Sequence, residues 1–256
     1  MSIQQLMLGV GASKKTYSND VFSTYLWTGN GSTSTRTMAN DIDFAGEGGM
    51  VWIVNRSQGN NDPKIVDTVR GLTGTNPYYL RPGSNAGQGD RAWNWSFLNN
   101  GFSFGADYSD INGNNHGMAS WSFRKSPGFF TVKEYSGVDD TLTLSHDLGC
   151  VPGLILIKRT DTSANWQVYH RDLGNSTRLV LNESNASQGG TNFLGFTSPT
   201  ATTFTVGLTG GDETNVAGGE YIAYLFAGGE SDAATARSVD FDGSNDYMTI
   251  PTHADL

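Results

Sequence analysis

Gly48-Gly49-Met50-Val51-Trp52-Ile53-Val54-Asn55-Arg56 is an apolar run held between a glycine pair and a basic residue. A second run of the same make, Pro152-Gly153-Leu154-Ile155-Leu156-Ile157-Lys158-Arg159, follows about a hundred residues later. An almost unbroken apolar stretch of this length between turn signals reads as a central strand buried on both faces. Placing Arg56 on Arg159 sets an offset of 103 residues, and the surroundings recur at nearly that offset. Met118-Ala119-Ser120-Trp121-Ser122-Phe123 falls on Tyr221-Ile222-Ala223-Tyr224-Leu225-Phe226, and Asp67-Thr68-Val69-Arg70-Gly71 on His170-Arg171-Asp172-Leu173-Gly174. Tyr79-Leu80 with Ser84-Asn85-Ala86 is echoed by Leu179-Val180 with Ser184-Asn185-Ala186, and Phe102–Gly105 by Phe204–Gly207. The strand-and-turn grammar common to β-proteins would not keep one offset, so the chain reads as an internal duplication.

The composition fits that reading. Thirty-three Gly against seven Pro, abundant Asn, Ser and Thr, and only 16% charged residues describe a turn-rich β-protein. Six Trp, ten Tyr and thirteen Phe supply bulk for sandwich cores. Short strands at regular spacing, with Gly/Asn/Asp/Ser turns and no helical period, point to an all-β fold of two tandem antiparallel β-sandwiches, jelly-roll-like or immunoglobulin-like. Residues 1–20 read as an N-terminal docking arm carrying apolar Leu6, Met7, Leu8 and Val10, residues 21–126 as the first repeat and 127–229 as the second. Residues 230–256 read as a linker and the first strands of a further domain, which makes the chain the front of a longer protein.

Sixteen basic against 25 acidic residues, a net charge of −9, argue against a surface that tracks nucleic-acid phosphates. No run approaches the roughly 20 apolar residues of a membrane span, and the first residues lack the basic start of a secretory signal. The single Cys150 cannot form an internal disulfide and reads as a small buried apolar residue.

Candidate sites are few. Asp107, Asp110, Asn112 and Asn114 space oxygen ligands as a calcium loop does, though the spacing is not that of an EF-hand, and a solvated hairpin loop needs the same residue types. Calcium is the only cofactor these loops suggest. Tyr78 and Tyr79, and Trp93 and Trp95 two apart on one side of a strand, offer an aromatic face for a sugar or a subunit, with core packing as the alternative. Carboxylate pairs such as Asp41/Asp43 and Asp139/Asp140 sit beside turns rather than in a hydrolase motif. The four His have no metal-ligand spacing, and no nucleophile elbow is present, so no enzymatic activity is expected.

Two resemblances add to this reading. Ser238-Val239-Asp240-Phe241-Asp242-Gly243, running on to Tyr247-Met248-Thr249-Ile250-Pro251, resembles the opening hairpin of concanavalin A-like, laminin-G-type lectin domains. The duplicated part is similar to a repeat of structural proteins of marine bacteriophages, including cyanophages. Leu8–Ala12, Asp20–Thr24, Gly49–Arg56, Trp121–Lys125 with Pro127, Val151-Pro152-Gly153, Trp166–His170 and Tyr221–Phe226 carry that similarity. It implies a non-enzymatic virion component, foremost a tail fibre or adhesin that joins the particle to a distal module reading host surface glycans. A capsid decoration or head-fibre protein, or a glycan-degrading tailspike with its catalytic domain past residue 256, are the alternatives. The implied partners are other virion proteins through the arm, further copies of the chain with a trimer favoured, and a host glycan through the distal domain. Neither nucleic acid nor membrane insertion is implied, and the implied location is the particle surface, after assembly in the bacterial cytoplasm.

Overall fold

A computed structural model describes residues 16–59, 63–138, 140–189, 193–195, 197–207 and 214–229. Leu6, Met7, Leu8 and Val10 of the expected arm, and the linker and further-domain strands expected over 230–256, lie outside the described residues. After a short helix α1 (Ser18–Val21), the first half contributes β1 (Phe22–Thr28), β2 (Arg36–Ala39), β3 (Gly49–Asn55), β4 (Lys64–Asp67), β5 (Leu72–Thr73), β6 (Asn76–Leu80), β7 (Gly89–Asp90), β8 (Ser96–Leu98), β9 (Gly101–Phe104) and β10 (Gly117–Arg124). The second half contributes β11 (Phe130–Ser136), β12 (Leu142–Ser145), β13 (Pro152–Arg159), β14 (Gln167–His170), β15 (Leu179–Val180), β16 (Thr203–Val206) and β17 (Glu220–Ala227). Every pairing is antiparallel. The fold is all-β, as its composition dictates.

Four layers result. A large sheet ordered β1-β10-β3-β4-β6-β5, with β7 on β6, faces a small sheet β2-β9-β8; a second large sheet, β11-β17-β13-β14-β15, faces the pair β12-β16. The first core joins Val51 and Ile53 of β3 to Met38, Phe102 and Phe104 of the small sheet. The second joins Ile155 and Ile157 of β13 to Phe204 and Val206. A third core lies between the two large sheets and takes the opposite faces of the same strands: Met50 and Trp52 from β3, Leu154 and Leu156 from β13. Because successive strand residues point to opposite faces, both faces of β3 and β13 must be apolar, and this is why their sequences barely alternate.

The pairing register refines the repeat. Met50 pairs with Phe123 and Leu154 with Phe226, so Met50 corresponds to Leu154 and Asn55 to Arg159. Matching Arg56 to Arg159 is therefore one residue out in this strand, which would swap its two faces. With the register corrected, loop hydrogen bonds recur at matched positions. The Trp27 indole donates to the Ile111 carbonyl and the Tyr135 hydroxyl to that of Thr214. The Gly29 amide donates to His116 O, and that of Gly137 to Gly219 O. At both glycines a Cβ would run into a backbone carbonyl, of Gly113 in one copy and Val216 in the other, so only Gly lets the strands approach.

Asn112 and Asn215 are the matched fasteners of these loops. Asn112 accepts from the Asn30 amide and from Arg36 Nη1 (2.8 Å), and its own amide reaches Ser32 O (2.9 Å) and Ala106 O (2.8 Å). Asn215 accepts from the Val138 amide (2.9 Å) and donates to Asp140 O. Both side chains are buried, and Ala at either position removes the hydrogen bonds that tie these loops together. We expect a loss of about 1–3 kcal/mol, read from the denaturation midpoint, and larger for Asn112→Ala than for Asn215→Ala because Asn112 holds more partners.

Candidate functional site

The joint between the two large sheets holds a buried ion pair. Asp67 ends β4 with its side chain wholly buried, and Arg70, in the turn that follows, is buried beside it. Asp67 Oδ1 accepts from the backbone amides of Val69 (3.0 Å) and Arg70 (2.9 Å), the local turn that an Asp at a strand end forms. Its Oδ2 accepts from Arg70 Nε (2.6 Å) and from the hydroxyl of Tyr224 (2.7 Å), which belongs to β17 of the other half. Arg70 Nη2 donates to Ile65 O (3.1 Å). Burial works against the Arg70 charge, but Asp67 and Tyr224 together outweigh it and raise the guanidinium pKa. Burial also holds the Tyr224 phenol well above its ordinary value, so it stays a donor to Asp67. Docking of the two halves thus adds the Tyr224 hydroxyl to the ion pair, while Arg70 Nη1 is buried without a hydrogen-bond partner.

Around it, the segment after β6 lies along the second half. The Trp166 indole donates to Arg81 O (2.9 Å), the Ala164 amide and the Lys158 ammonium to Asn85 O (2.8 and 3.2 Å), and the Gln88 amide to Thr160 O (2.8 Å). Glu134, on edge strand β11, feels the buried charges. Partial burial and then the Asp67 carboxylate raise its pKa, against the pull of Arg70. A carboxyl raised in the folded state adds stability below its unfolded pKa and loses it as pH climbs through the folded one. Glu134→Gln should therefore stabilise the protein at neutral pH, by less than about 1 kcal/mol because water screens the site, and make no difference in acid. Paired thermal melts at the two pH values check this.

A crevice runs beside the Arg124–Pro127 linker. One end, about 400 Å³, is lined by Asp20, Asp41, Asp43, Glu47 and Arg124. It continues past Ser126 and Pro127 into a recess of about 250 Å³ with Lys125, Thr131 and Asp147. Three of its acids have local work: Asp43 accepts the Gly46 amide (2.7 Å), Asp20 the Tyr17 amide (2.8 Å), and Glu47 lies 3.7 Å from Arg124 Nη1. Burial works against the Asp147 carboxylate, but the Thr131 hydroxyl and Lys125 outweigh it and lower its pKa. Burial lowers the pKa of His146, whose Nδ1 faces the Leu148 amide (3.3 Å) and Nε2 the Thr200 carbonyl (3.2 Å). The side chains of this crevice hold turns and the linker in place. Among the described residues, no three or more His, Cys, Asp or Glu side chains gather to hold a metal ion.

The aromatic face expected from the sequence is corrected. Trp93, Trp95 and Tyr79 are 0%, 1% and 4% exposed, while Tyr78 is half-buried. Trp93 stacks on Tyr79 at 5.3 Å and Trp95 on Phe102 at 4.8 Å. The two indoles do share a side, and that side is the first core. Asn94 between them takes φ +47° and binds Gly105 O and the Thr75 hydroxyl, so the polar residue turns out and both rings turn in.

The calcium loop is corrected too, because its oxygens do not converge. Asp107 and Asn114 are exposed, Asp110 Oδ2 pairs with Arg91 (3.0 Å) and Lys64 (3.5 Å), and Asn112 is the loop fastener. Asp67, Arg70 and Tyr224 escaped the sequence reading. The signal was there as a break in the repeat: Asp67 and Arg70 face His170 and Leu173 in the matched segment, so an acid and a base at these two positions occur in one copy alone.

Fold and joint define an all-β protein of two related sandwiches fused face to face. The chain belongs to the family described as a domain of unknown function, DUF7483, whose model matches residues 17–235 and so spans both sandwiches. No curated protein and no solved structure matches it.

Proposed function

We propose that this chain is a structural protein of a bacteriophage particle, a non-enzymatic tail-fibre or adhesin component. Its fused sandwiches hold a distal host-glycan-reading module at a set distance and angle from the virion. The likeness of residues 8–226 to repeats of marine phage structural proteins supports the setting. The observation that carries the mechanical role is the third core: the sheets facing each other share Met50, Leu80, Leu156, Trp166 and Ile222, with the Asp67–Arg70–Tyr224 cluster among them. A spacer joined by a bare linker would swing, whereas one joined by a buried interface transmits orientation. In this role the residues before the first strand anchor the chain to other virion proteins, and copies of the chain assemble symmetrically on the particle surface.

Mass spectrometry of purified particles, with antibody-gold localisation, tests the proposal. The chain is expected in the particle in multiple copies, at the tail. Its absence from particles, or release of reducing sugar from a glycan by the chain itself, would overturn it.

A further inference from the structure

Away from the joint, a second pair of opposite charges is shut off from water inside the first sandwich. Lys64 of β4 and Asp110, in the loop before β10, have side chains 5% and 7% exposed, with Lys64 Nζ 3.5 Å from Asp110 Oδ2. The surroundings are aromatic. The ammonium lies 5.8 Å from the centre of the Tyr79 ring, on which Trp93 stacks, and Arg91 lies over Tyr108. The loop holds Asp110 from both sides: Asn55 Nδ2 donates to Ser109 O (2.6 Å) and the Trp27 indole to Ile111 O (3.1 Å). The Ile111 and Asn112 amides both return to Tyr108 O (3.1 and 2.7 Å).

The two oxygens of Asp110 are not alike. Oδ2 accepts from Arg91 Nη1 (3.0 Å) and faces Lys64, whereas Oδ1 is buried with no hydrogen-bond partner. A carboxylate oxygen kept from water without a donor is costly, and so is a desolvated ion pair. The duplication supplies a control. Lys64 pairs with Ile53 as Gln167 pairs with Ile157, so the second copy has an amide, not an amine, at this buried position.

We propose that Lys64 and Asp110 condense into an amide that staples β4 to the loop before β10. Nζ bonds to Cγ, the Cγ–Oδ1 bond breaks, and two of the three ammonium hydrogens leave with Oδ1 as water. The third hydrogen stays on the new amide nitrogen. Ammonium and carboxylate together already hold every atom of amide and water, so no oxidant, reductant or co-reactant enters. The oxygen that departs is the one nothing holds. Arg91 Nη1 stays on Oδ2, draws electron density from the carboxyl carbon during attack, and keeps the oxygen that becomes the amide carbonyl. The fixed loop replaces a chance encounter by a standing one. In water the separated ions win because both are hydrated; in a dry aromatic site that hydration is missing and the neutral amide gains. Such a bond restricts the unfolded chain as a disulfide does, in a protein whose single Cys150 can form no internal one. The inference stands apart from the particle assignment.

Mass spectrometry of the unfolded full chain tests it. Wild type should weigh one water less than its sequence, and its protease digest should contain a branched peptide joining Lys64 to Asp110. Lys64→Arg, which keeps the charge but is a poor nucleophile, and Asp110→Ala should each restore the full mass. Wild type at full sequence mass after prolonged incubation, with no branched peptide, would overturn the proposal. So would a loss of water that persists in Lys64→Arg, since an aspartate closing on its own backbone would then account for it.

Discussion

Asp67→Asn should lower the unfolding free energy of the chain by about 3–5 kcal/mol, because it leaves the buried Arg70 guanidinium without its countercharge. The side chain of Asp67 is wholly buried, and its two oxygens serve two backbone amides, the Arg70 side chain and Tyr224. An amide at this position keeps part of the turn but presents a neutral, partly donor group to a cation shut off from water. Tyr224→Phe, which removes the hydroxyl that donates to Asp67 and accepts from Arg70 Nη2, should cost about 1.5–3 kcal/mol, the range for a hydrogen bond to a charged group. Arg70→Met added to Asp67→Asn should recover part of the loss by removing the stranded charge. Denaturant titrations of the three variants measure the series, and a double variant no better than Asp67→Asn alone would show that the turn, not the charge, is what matters there.

Trp166→Ala should cost about 3–5 kcal/mol, as large-to-small changes in close-packed cores do. The Trp166 ring is fully buried in the third core, 6.2 Å from that of Tyr224, and its indole N–H is bonded to Arg81 O. The informative readout is where the loss appears. Trp166 belongs to the second half, yet its removal should loosen amides of the first half too, notably in β4 and β6, since Ile65 and Leu80 line the same core. Hydrogen exchange confined to β13–β15 would mean the joint transmits little.

Much of this architecture was legible in the residues, and the parts that were not have physical reasons. The double-sided apolar runs of β3 and β13 announce strands buried on both faces, and the matched turns announce two copies. What covers the second face is not written in any one strand. Met50 and Trp52 need a partner surface, but only the assembled sheets show that the other copy supplies it. The one-residue slip between Arg56 and Arg159 has the same root: an apolar run without alternation does not declare which residues face which way. β2 went unread because Arg36-Thr37-Met38-Ala39 has a single large apolar residue and becomes a strand through its pairing with β9. Trp93 and Trp95 left both a binding face and core packing open because turn residues surround them, and the positive φ that turns Asn94 outward cannot be seen in its identity. The Asp67–Arg70–Tyr224 cluster spans 157 positions from first to last member, beyond the reach of local pattern.

Two copies of one sandwich are welded by a third core into a single cooperative body. Scanning calorimetry of the full chain tests it most directly. One transition is expected, with calorimetric and van't Hoff enthalpies equal and with Asp67→Asn and Trp166→Ala shifting it as a whole. Two resolved transitions, with each substitution moving only the one belonging to its own half, would contradict it.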